Sequence, residues 1–266
     1  MYENDITPAA LGAFLSGERL SRVHVFPEVD STNTVLKRMA AEDAPAGTTV
    51  IADTQTAGRG RMDRRFESPA GAGLYLSYLL RPTAANEQLP ELTAWTAVAV
   101  REAIAETAGV SPQIKWVNDL VLSGKKIAGI LTESSAVPGG SPAVVVGIGI
   151  NVSDSAFSPE VAKMASSIGA LTGSVPPCAA LAAAVIRRMD RLAEDFPARK
   201  ERYLDAYRAA CLTVGEQVSV VRGETSYHAT AVAVADDFSL LVRREDGMVE
   251  SVSAGEVSVR GLYGYV

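Results

Sequence analysis

The spacing of apolar residues changes near residue 211, and this change constrains the fold of the 266-residue chain more than any other feature. Before it, stretches with helical spacing mix with short β-branched stretches, and the two kinds do not alternate strictly. That order favours an α+β fold over a doubly wound sheet. After it come short alternating stretches separated by Gly and Asp turns, the pattern of a small all-β barrel. We therefore expect two domains, residues 1–211 and 212–266.

The composition excludes several classes of protein. With 47% hydrophobic and 21% charged residues, the chain has the make-up of a globular protein with a real core. Its formal net charge of -6 argues against general nucleic-acid binding, so we expect no DNA partner. No basic stretch precedes an apolar one at the N-terminus, and no apolar run reaches the roughly 18 residues of a membrane span. We expect a cytoplasmic protein without a membrane partner.

A basic stretch stands out in this acidic chain. The stretch, residues 55–66, reads QTAGRGRMDRRF; its four arginines at 59, 61, 64 and 65 are opposed only by Asp63. Gly58 and Gly60 allow positive φ and close backbone approach, and guanidinium groups suit carboxylate and phosphate. We call residues 58–66 the arginine loop. There is no Walker A pattern, and alone the loop fits a solvated basic segment equally well.

A second group of polar residues lies in residues 115–131, KWVNDLVLSGKKIAGIL. Lys115, Asn118 and Asp119 fall within five residues, and Lys126 precedes an apolar run. A lysine beside such a strand can act as a point charge for phosphate, and Asp119 can hold a magnesium ion or accept a proton. A hairpin with surface charges explains the same pattern.

Two shorter motifs are weaker when taken singly. Residues 30–33 read DSTN at a predicted helix start, where a plain N-cap explains them. Residues 147–151 read GIGIN, which fits a buried strand that ends at the polar Asn151.

In this order, and with the stretch SPAGAGLYLSYLLRP at residues 68–82, the four motifs resemble those of the biotin protein ligases, over roughly residues 28–152. The resemblance implies a catalytic domain like that of class II aminoacyl-tRNA synthetases, with a mixed sheet, and an SH3-like C-terminal β barrel. Val117 stands where the family usually has proline; Asp63 and Phe66 stand where it has glycine and tryptophan. About twenty residues precede the match, which indicates the type without an N-terminal DNA-binding domain.

The resemblance implies a two-step reaction. Biotin and ATP, with Mg2+, give biotinyl-5'-AMP and pyrophosphate, and a lysine of a biotin carboxyl carrier domain of an acyl-CoA or pyruvate carboxylase then takes the biotin. Fixed cations offset the repulsion between carboxylate and triphosphate. A loop that folds over the anhydride excludes water, so we expect the arginine loop to become ordered when ligand binds.

The resemblance also assigns roles to individual residues. The catalytic residues are Lys126, Arg61 and Asp119, and Asp119 is a weak candidate for the metal. Biotin contacts are expected from Ser31, Thr32, Asn33, Gln55, Arg59, Gly60, Arg61 and Lys126. ATP or adenylate contacts are expected from Arg59, Arg61, Lys115, Asn118, Lys126 and Asn151.

Two other functions stay open on the sequence. A lipoate–protein ligase shares the fold and the acyl-lysine product, although the motif series and the C-terminal module favour biotin. A non-catalytic module that binds phosphate or nucleic acid through the arginine loop is the alternative from another class. The sequence does not decide the oligomeric state.

Overall fold

A seven-stranded mixed sheet forms the centre of the main body, with strand order β1-β2-β3-β7-β6-β5-β4. The computed structural model describes residues 6–62, 64–135, 142–153, 157–253 and 258–261, so Asp63 lies outside it. The strands are β1 Val23–Val29, β2 Thr49–Gln55, β3 Gly73–Leu80, β4 Gln113–Lys115, β5 Asp119–Leu122, β6 Lys125–Ser135 and β7 Ala143–Asn151. Only β1 and β2 pair in parallel; the other neighbours are antiparallel.

Helices cover both faces of this sheet. They are α1 Pro8–Leu11, α2 Gly17–Leu20, α3 Thr32–Ala41, α4 Leu92–Ala108, α5 Pro159–Ala162, α6 Ile168–Thr172, α7 Cys178–Asp195 and α8 Lys200–Ala210, with a 3-10 turn at Asn86–Glu91. On one face α4 and α7 pack together over β6 and β3. On the other, Leu36 and Ala40 of α3 pack against Val50, Leu79 and Val145. No helix in the described part of the chain is long and apolar enough to cross a membrane.

A tight turn and a bulge shape the β5–β6 hairpin, which carries two predicted site residues. Ser123 and Gly124 have φ values of 49° and 74°, the paired left-handed conformation that suits a two-residue hairpin turn. The strand register shifts between Leu120 and Val121. A bulge changes the direction of neighbouring side chains. At this bulge, the Lys126 side chain reaches Asp119 on the paired strand.

The C-terminal part is a five-stranded antiparallel sheet with the order β11-β10-β9-β8-β12. Its strands are β8 Gln217–Arg222, β9 Thr225–Val234, β10 Leu240–Arg244, β11 Val249–Val252 and β12 Ser258–Gly261. The expected α+β architecture with a small C-terminal β module is confirmed. Among the described residues no pairing joins β11 to β12, so the structure shows a sheet where a closed barrel was expected.

The C-terminal sheet packs directly on the β4–β5 hairpin. The indole Nε1 of Trp116 donates to the carbonyl of Phe238 at 2.9 Å, and the Trp116 backbone N–H donates to the Thr213 hydroxyl at 2.9 Å. Val218 and Leu240 belong to the same apolar core as the central sheet. Since this core is continuous across residue 211, the domain boundary stays a prediction from the sequence pattern.

Candidate active site

A cavity of about 270 Å³ lies between the start of α3, the arginine loop and the strands β5, β6 and β7. All but one of the predicted site residues line it. They are Ser31, Thr32, Asn33, Gln55, Arg59, Gly60, Arg61, Asn118, Asp119, Lys126 and Asn151. The motifs, far apart in the chain, therefore meet at one place. The exception is Lys115, discussed below.

Uncharged polar side chains line one end of the cavity, and we call it the neutral end: Ser31, Thr32, Asn33 and Gln55, with the buried Ser77 bonded to Thr32. The side-chain amide oxygen of Gln55 accepts hydrogen bonds from the Thr32 backbone N–H at 2.9 Å and from the Thr32 hydroxyl at 3.1 Å. The Gln55 amide donates to the Ser68 hydroxyl at 2.8 Å. Ser31 occupies the N-cap position of α3, yet its side chain makes no capping bond in the described structure. A plain N-cap therefore does not explain DSTN: Ser31 makes no capping bond among the described residues, and Thr32 bonds to Gln55 in the cavity wall.

Asn33 is held by the protein at both ends of its amide. Its oxygen accepts the Ser77 hydroxyl at 2.5 Å, and its Nδ2 donates to Glu133 at 2.7 Å. Gly147 lies directly beside it, because a Cβ there would overlap the Asn33 oxygen. Asn33 is therefore a braced part of the wall at the neutral end, and its contact with biotin stays a prediction.

The arginine loop is a small hairpin. The Gly60 N–H donates to the Arg64 carbonyl at 2.6 Å, and the Phe66 N–H donates to the Gly58 carbonyl at 3.0 Å. Neither Gly58 nor Gly60 has a positive φ. Close approach is what requires glycine at 58, since a Cβ there would overlap the Phe66 carbonyl and lie 2.8 Å from the Ser68 hydroxyl oxygen.

Two arginines of the loop have different partners. Arg61 points into the cavity and donates to the side-chain amide oxygen Oδ1 of Asn118 at 3.1 Å. Burial lowers the pKa of Arg61, and the nearby charge of Asp119 opposes that shift. Arg59 instead pairs with Glu133 at 2.7 Å, and its side chain is 42% exposed.

The other end of the cavity carries the charged side chains of Arg61, Asp119 and Lys126 beside the amide of Asn118, and we call it the charged end. The Lys126 ammonium lies 2.7 Å from a carboxylate oxygen of Asp119. It also passes over Gly129, where a Cβ would lie 3.0 Å from Nζ, and it lies 5.9 Å from the centre of the Phe66 ring. The absence of a side chain at Gly129 gives the ammonium its room.

A segment of residues 157–166 covers the charged end. The Lys126 N–H donates to the Met164 carbonyl, and the Ser166 N–H donates to the Lys126 carbonyl, both at 2.9 Å. The Asn151 amide donates to the Ser166 carbonyl at 3.0 Å. Asn151 thus anchors this covering segment, whose Phe157, Val161, Met164 and Ala165 line the cavity.

Comparisons with known proteins agree with this geometry. Residues 25–151 match the Biotin/lipoate A/B protein ligase family, and residues 213–260 match the Biotin protein ligase C terminal domain. The chain is 31% identical to the Biotin--[acetyl-CoA-carboxylase] ligase of Mycobacterium tuberculosis, over 96% of this chain and 94% of that one. It is 32% identical to the Paracoccus denitrificans protein of the same name, over 87% and 98%.

The chain belongs to the biotin protein ligase family.

The fold is also that of the family. A solved structure of the biotin protein ligase from Aquifex aeolicus, in complex with biotin and ATP, superposes with a TM-score of 0.78. The two sequences are 30% identical, over 90% of this chain and 98% of that one.

Lys115 differs from the other predicted residues of this family member. It is buried on β4, paired in register with Asp119 of β5, and it is absent from the cavity lining given by the described residues. The neighbouring Val117, which replaces the family's usual proline, is also buried, and its carbonyl accepts the Tyr207 hydroxyl at 3.2 Å. The hairpin register is therefore kept with valine at 117.

The described residues do not fit a metal ion held by protein groups alone. No three His, Cys, Asp or Glu side chains gather within the described ranges, and Asp119 already faces the Lys126 ammonium. One carboxylate of this kind suits a magnesium ion that also takes phosphate oxygens from a substrate.

Three residues that support the site were not among the predicted site residues. Glu133 matches no motif, and Ser68 and Ser77 lie in the stretch SPAGAGLYLSYLLRP without a role of their own assigned to them. Each forms a hydrogen bond that holds a predicted site residue in place. The sequence also does not reveal why β7 needs glycine at 147 and 149. Gly149 is needed because a Cβ there would lie 2.6 Å from the Phe66 ring.

Proposed function

We propose that this chain activates biotin with ATP to biotinyl-5'-AMP and transfers the biotin to a lysine of a biotin carboxyl carrier domain. The observation that carries the proposal is the single cavity that joins the neutral end to the charged end. This arrangement suits a carboxylic acid that carries an uncharged polar group at one end and its carboxylate at the other. Neutral hydrogen-bonding groups recognise the polar group, and cations offset the repulsion between the carboxylate and the phosphate that it attacks.

The neutral end matches the ureido ring of biotin. The ring carries two N–H donors and one carbonyl acceptor, and the Ser31 and Thr32 hydroxyls with the Gln55 amide supply the complementary groups. Leu131 and Ile148, which also line the cavity, offer apolar surface to the thioether ring and the valerate chain. Fixed hydrogen bonds between Thr32 and Gln55 support recognition without reorganisation on binding.

The first step takes place at the charged end. A biotin carboxylate oxygen forms a bond to the α-phosphorus, and the bond from that phosphorus to pyrophosphate breaks, with the electron pair leaving on pyrophosphate. Lys126 and Arg61 stabilise the negative charge around the α-phosphate. Magnesium enters as the complex with ATP, so it is part of the substrate. Asn118 and Asn151 also line the cavity, and we assign them to contacts with the adenylate.

In the second step, the lysine amine of the carrier domain attacks the acyl carbon of biotinyl-5'-AMP. The amide C–N bond forms, the acyl C–O bond breaks, AMP leaves with that electron pair, and the amine loses a proton. Asp119 is the carboxylate that lines the charged end beside Lys126, so we assign it the acceptance of that proton and the orientation of Lys126.

The arginine loop protects the intermediate in this scheme. A mixed anhydride hydrolyses readily, and a hairpin that closes the cavity with Phe66 and Arg61 keeps water out. Phe66 supports this role because its ring packs edge-on to Tyr75, with ring centres 6.3 Å apart, and covers Gly149 of the cavity floor.

The test is the mass of an isolated biotin carboxyl carrier domain after incubation with the chain, biotin and MgATP. We expect one biotinyl group on the wild-type domain and none on a domain whose acceptor lysine is replaced by arginine. Lipoate in place of biotin should give no product. Transfer of lipoate but not biotin, or no transfer with folded components, would reject the proposal.

A further inference from the structure

We propose that Glu133 is a positioning residue that latches the arginine loop to the sheet and to helix α3. Glu133 lies on β6, on the same face as Leu131 and Gly129, because side chains two residues apart share a face of a strand. Its side chain is 20% exposed. No motif singles it out, and the proposed reaction gives it no role.

Three donors from two separate parts of the chain converge on this carboxylate. Arg59 of the arginine loop donates from Nη2 at 2.7 Å, and Asn33 at the start of α3 donates from Nδ2 at 2.7 Å to the same oxygen. The second oxygen accepts the Lys37 ammonium, one turn further along α3, at 2.6 Å. One carboxylate thus fastens loop, helix and strand together.

The electrostatic balance keeps this carboxylate ionised. Burial alone raises the pKa of Glu133, but the hydrogen bonds from Lys37 and Asn33 and the charges of Lys37 and Arg59 outweigh it, so the pKa is lowered. Charge-assisted hydrogen bonds of this kind are stronger than neutral ones, although partial exposure weakens them here.

The latch acts from outside the reaction cavity. Glu133 lines a neighbouring depression that shares Arg59 and Leu131 with the reaction cavity, and Glu133 itself is not among the described residues that line the reaction cavity. Any effect on substrate therefore passes through Arg59 and Asn33. To open, the loop must break the bond between Arg59 and Glu133, whereas the bond from Asn33 remains and keeps the neutral end braced.

This inference rests on the proposed function only for its kinetic consequence. A weaker latch lets the loop open more often, so biotinyl-5'-AMP escapes faster and biotin binds less tightly. Loop opening itself can be measured without any substrate, because trypsin cleaves after exposed arginines and the loop carries four of them at 59, 61, 64 and 65.

The first arm compares tryptic cleavage after residues 61, 64 and 65 in the wild type, Glu133→Gln, Arg59→Ala and the double variant. Glu102→Gln is the matched control, because Glu102 also pairs with two cationic side chains, Arg188 and Arg202, and is 26% exposed. We expect Glu133→Gln and Arg59→Ala each to speed loop cleavage about 3- to 10-fold. The double variant should be no faster than Arg59→Ala alone, and the control should match the wild type.

The second arm measures release of biotinyl-5'-AMP and KM for biotin in the same proteins. Release should quicken, and KM rise, by about the same 3- to 10-fold in Glu133→Gln, with kcat for adenylate formation changed less than about 2-fold. If the wild type forms no adenylate, the proposed function is wrong. Tryptic cleavage of the arginine loop still tests the latch in that case, because it needs no substrate.

Two results would overturn the latch. Loop cleavage and release at wild-type rates in Glu133→Gln would show that the carboxylate does not hold the loop. Equal acceleration of cleavage at arginines and lysines throughout the chain would show a general stabilising role instead of a local one.

Discussion

The two ends of the cavity solve different problems with different kinds of group. At the neutral end, Thr32, Gln55 and Ser77 bond mainly to one another, so the recognition surface exists before a ligand arrives. At the charged end, Lys126 pairs with Asp119, and Arg61 with Asn118. In the proposed reaction, the α-phosphate competes with Asp119 and Asn118 for these cations. The proposal thus assigns prepared dipoles to the recognition of biotin and cations that change partners to the chemistry.

The largest expected effect comes from removing the central cation. Lys126→Ala should lower kcat for adenylate formation about 10²- to 10³-fold, because the charge that develops on the α-phosphate loses its nearest ammonium group. Lys200→Ala is the matched control: Lys200 is 28% exposed against 24% for Lys126, and each ammonium lies 2.7 Å from a carboxylate. The control should keep its rate in the same steady-state assay. Similar losses in the two variants would remove Lys126 from the reaction.

A smaller effect is expected at the neutral end, on binding instead of rate. Gln55→Ala leaves the Thr32 N–H and hydroxyl without their acceptor, so KM for biotin should rise about 10- to 50-fold while KM for ATP stays the same. Gln217→Ala removes an exposed amide that bonds to Thr230 in the C-terminal sheet and serves as control. Titrating biotin and ATP separately tests the division between the two ends. An equal rise in both KM values would contradict it.

The wall of the neutral end can be disturbed without touching a polar group. In Gly147→Ala the new Cβ overlaps the Asn33 oxygen, so the asparagine must move, and Kd for biotin should rise about 5- to 20-fold. Gly17→Ala is the control, because a Cβ there meets nothing within 4 Å. Isothermal titration with biotin measures the change. Unaltered affinity in a folded Gly147→Ala protein would mean that Asn33 does not shape the biotin site.

The smallest effect concerns pH. Because the folded state lowers the pKa of Glu133 below its ordinary value of 4.5, its stabilising contribution is present above pH 4.5 and is lost as pH falls through the lowered pKa. The gap in Tm between the wild type and Glu133→Gln should therefore stay constant from pH 8 to about 5 and narrow below. Because Glu133 is partly exposed, this Tm gap should correspond to a difference of less than about 1 kcal/mol in the free energy of unfolding. A gap that narrows already near pH 7 would contradict an ionised latch.

The sequence predicts the meeting of the motifs better than their individual contacts. The change of pattern near residue 211 predicted the α+β architecture, and the resemblance carried by the motifs predicted most of the residues that line the cavity. Lys115 shows the limit, because an adjacent position on a hairpin does not say which face of the strand a side chain takes.

The partners of side chains could not be predicted for a different reason. Glu133 is 74 residues from Arg59 and 100 residues from Asn33 in sequence, and only the register of β6 against its neighbours brings them together. Ser77 similarly looks like one polar residue in a buried strand, yet it braces Asn33. The closed barrel expected at the C-terminus depended on strand pairing, which an alternating pattern does not specify.

The most direct test of the central claim is ATP–pyrophosphate exchange, measured with biotin and with lipoate as the carboxylic acid. If the two ends act as described, labelled pyrophosphate enters ATP in the presence of biotin and MgATP, lipoate supports none, and Lys126→Ala abolishes most of the signal. Exchange with lipoate but not with biotin, or no exchange by folded wild-type protein, would contradict the account.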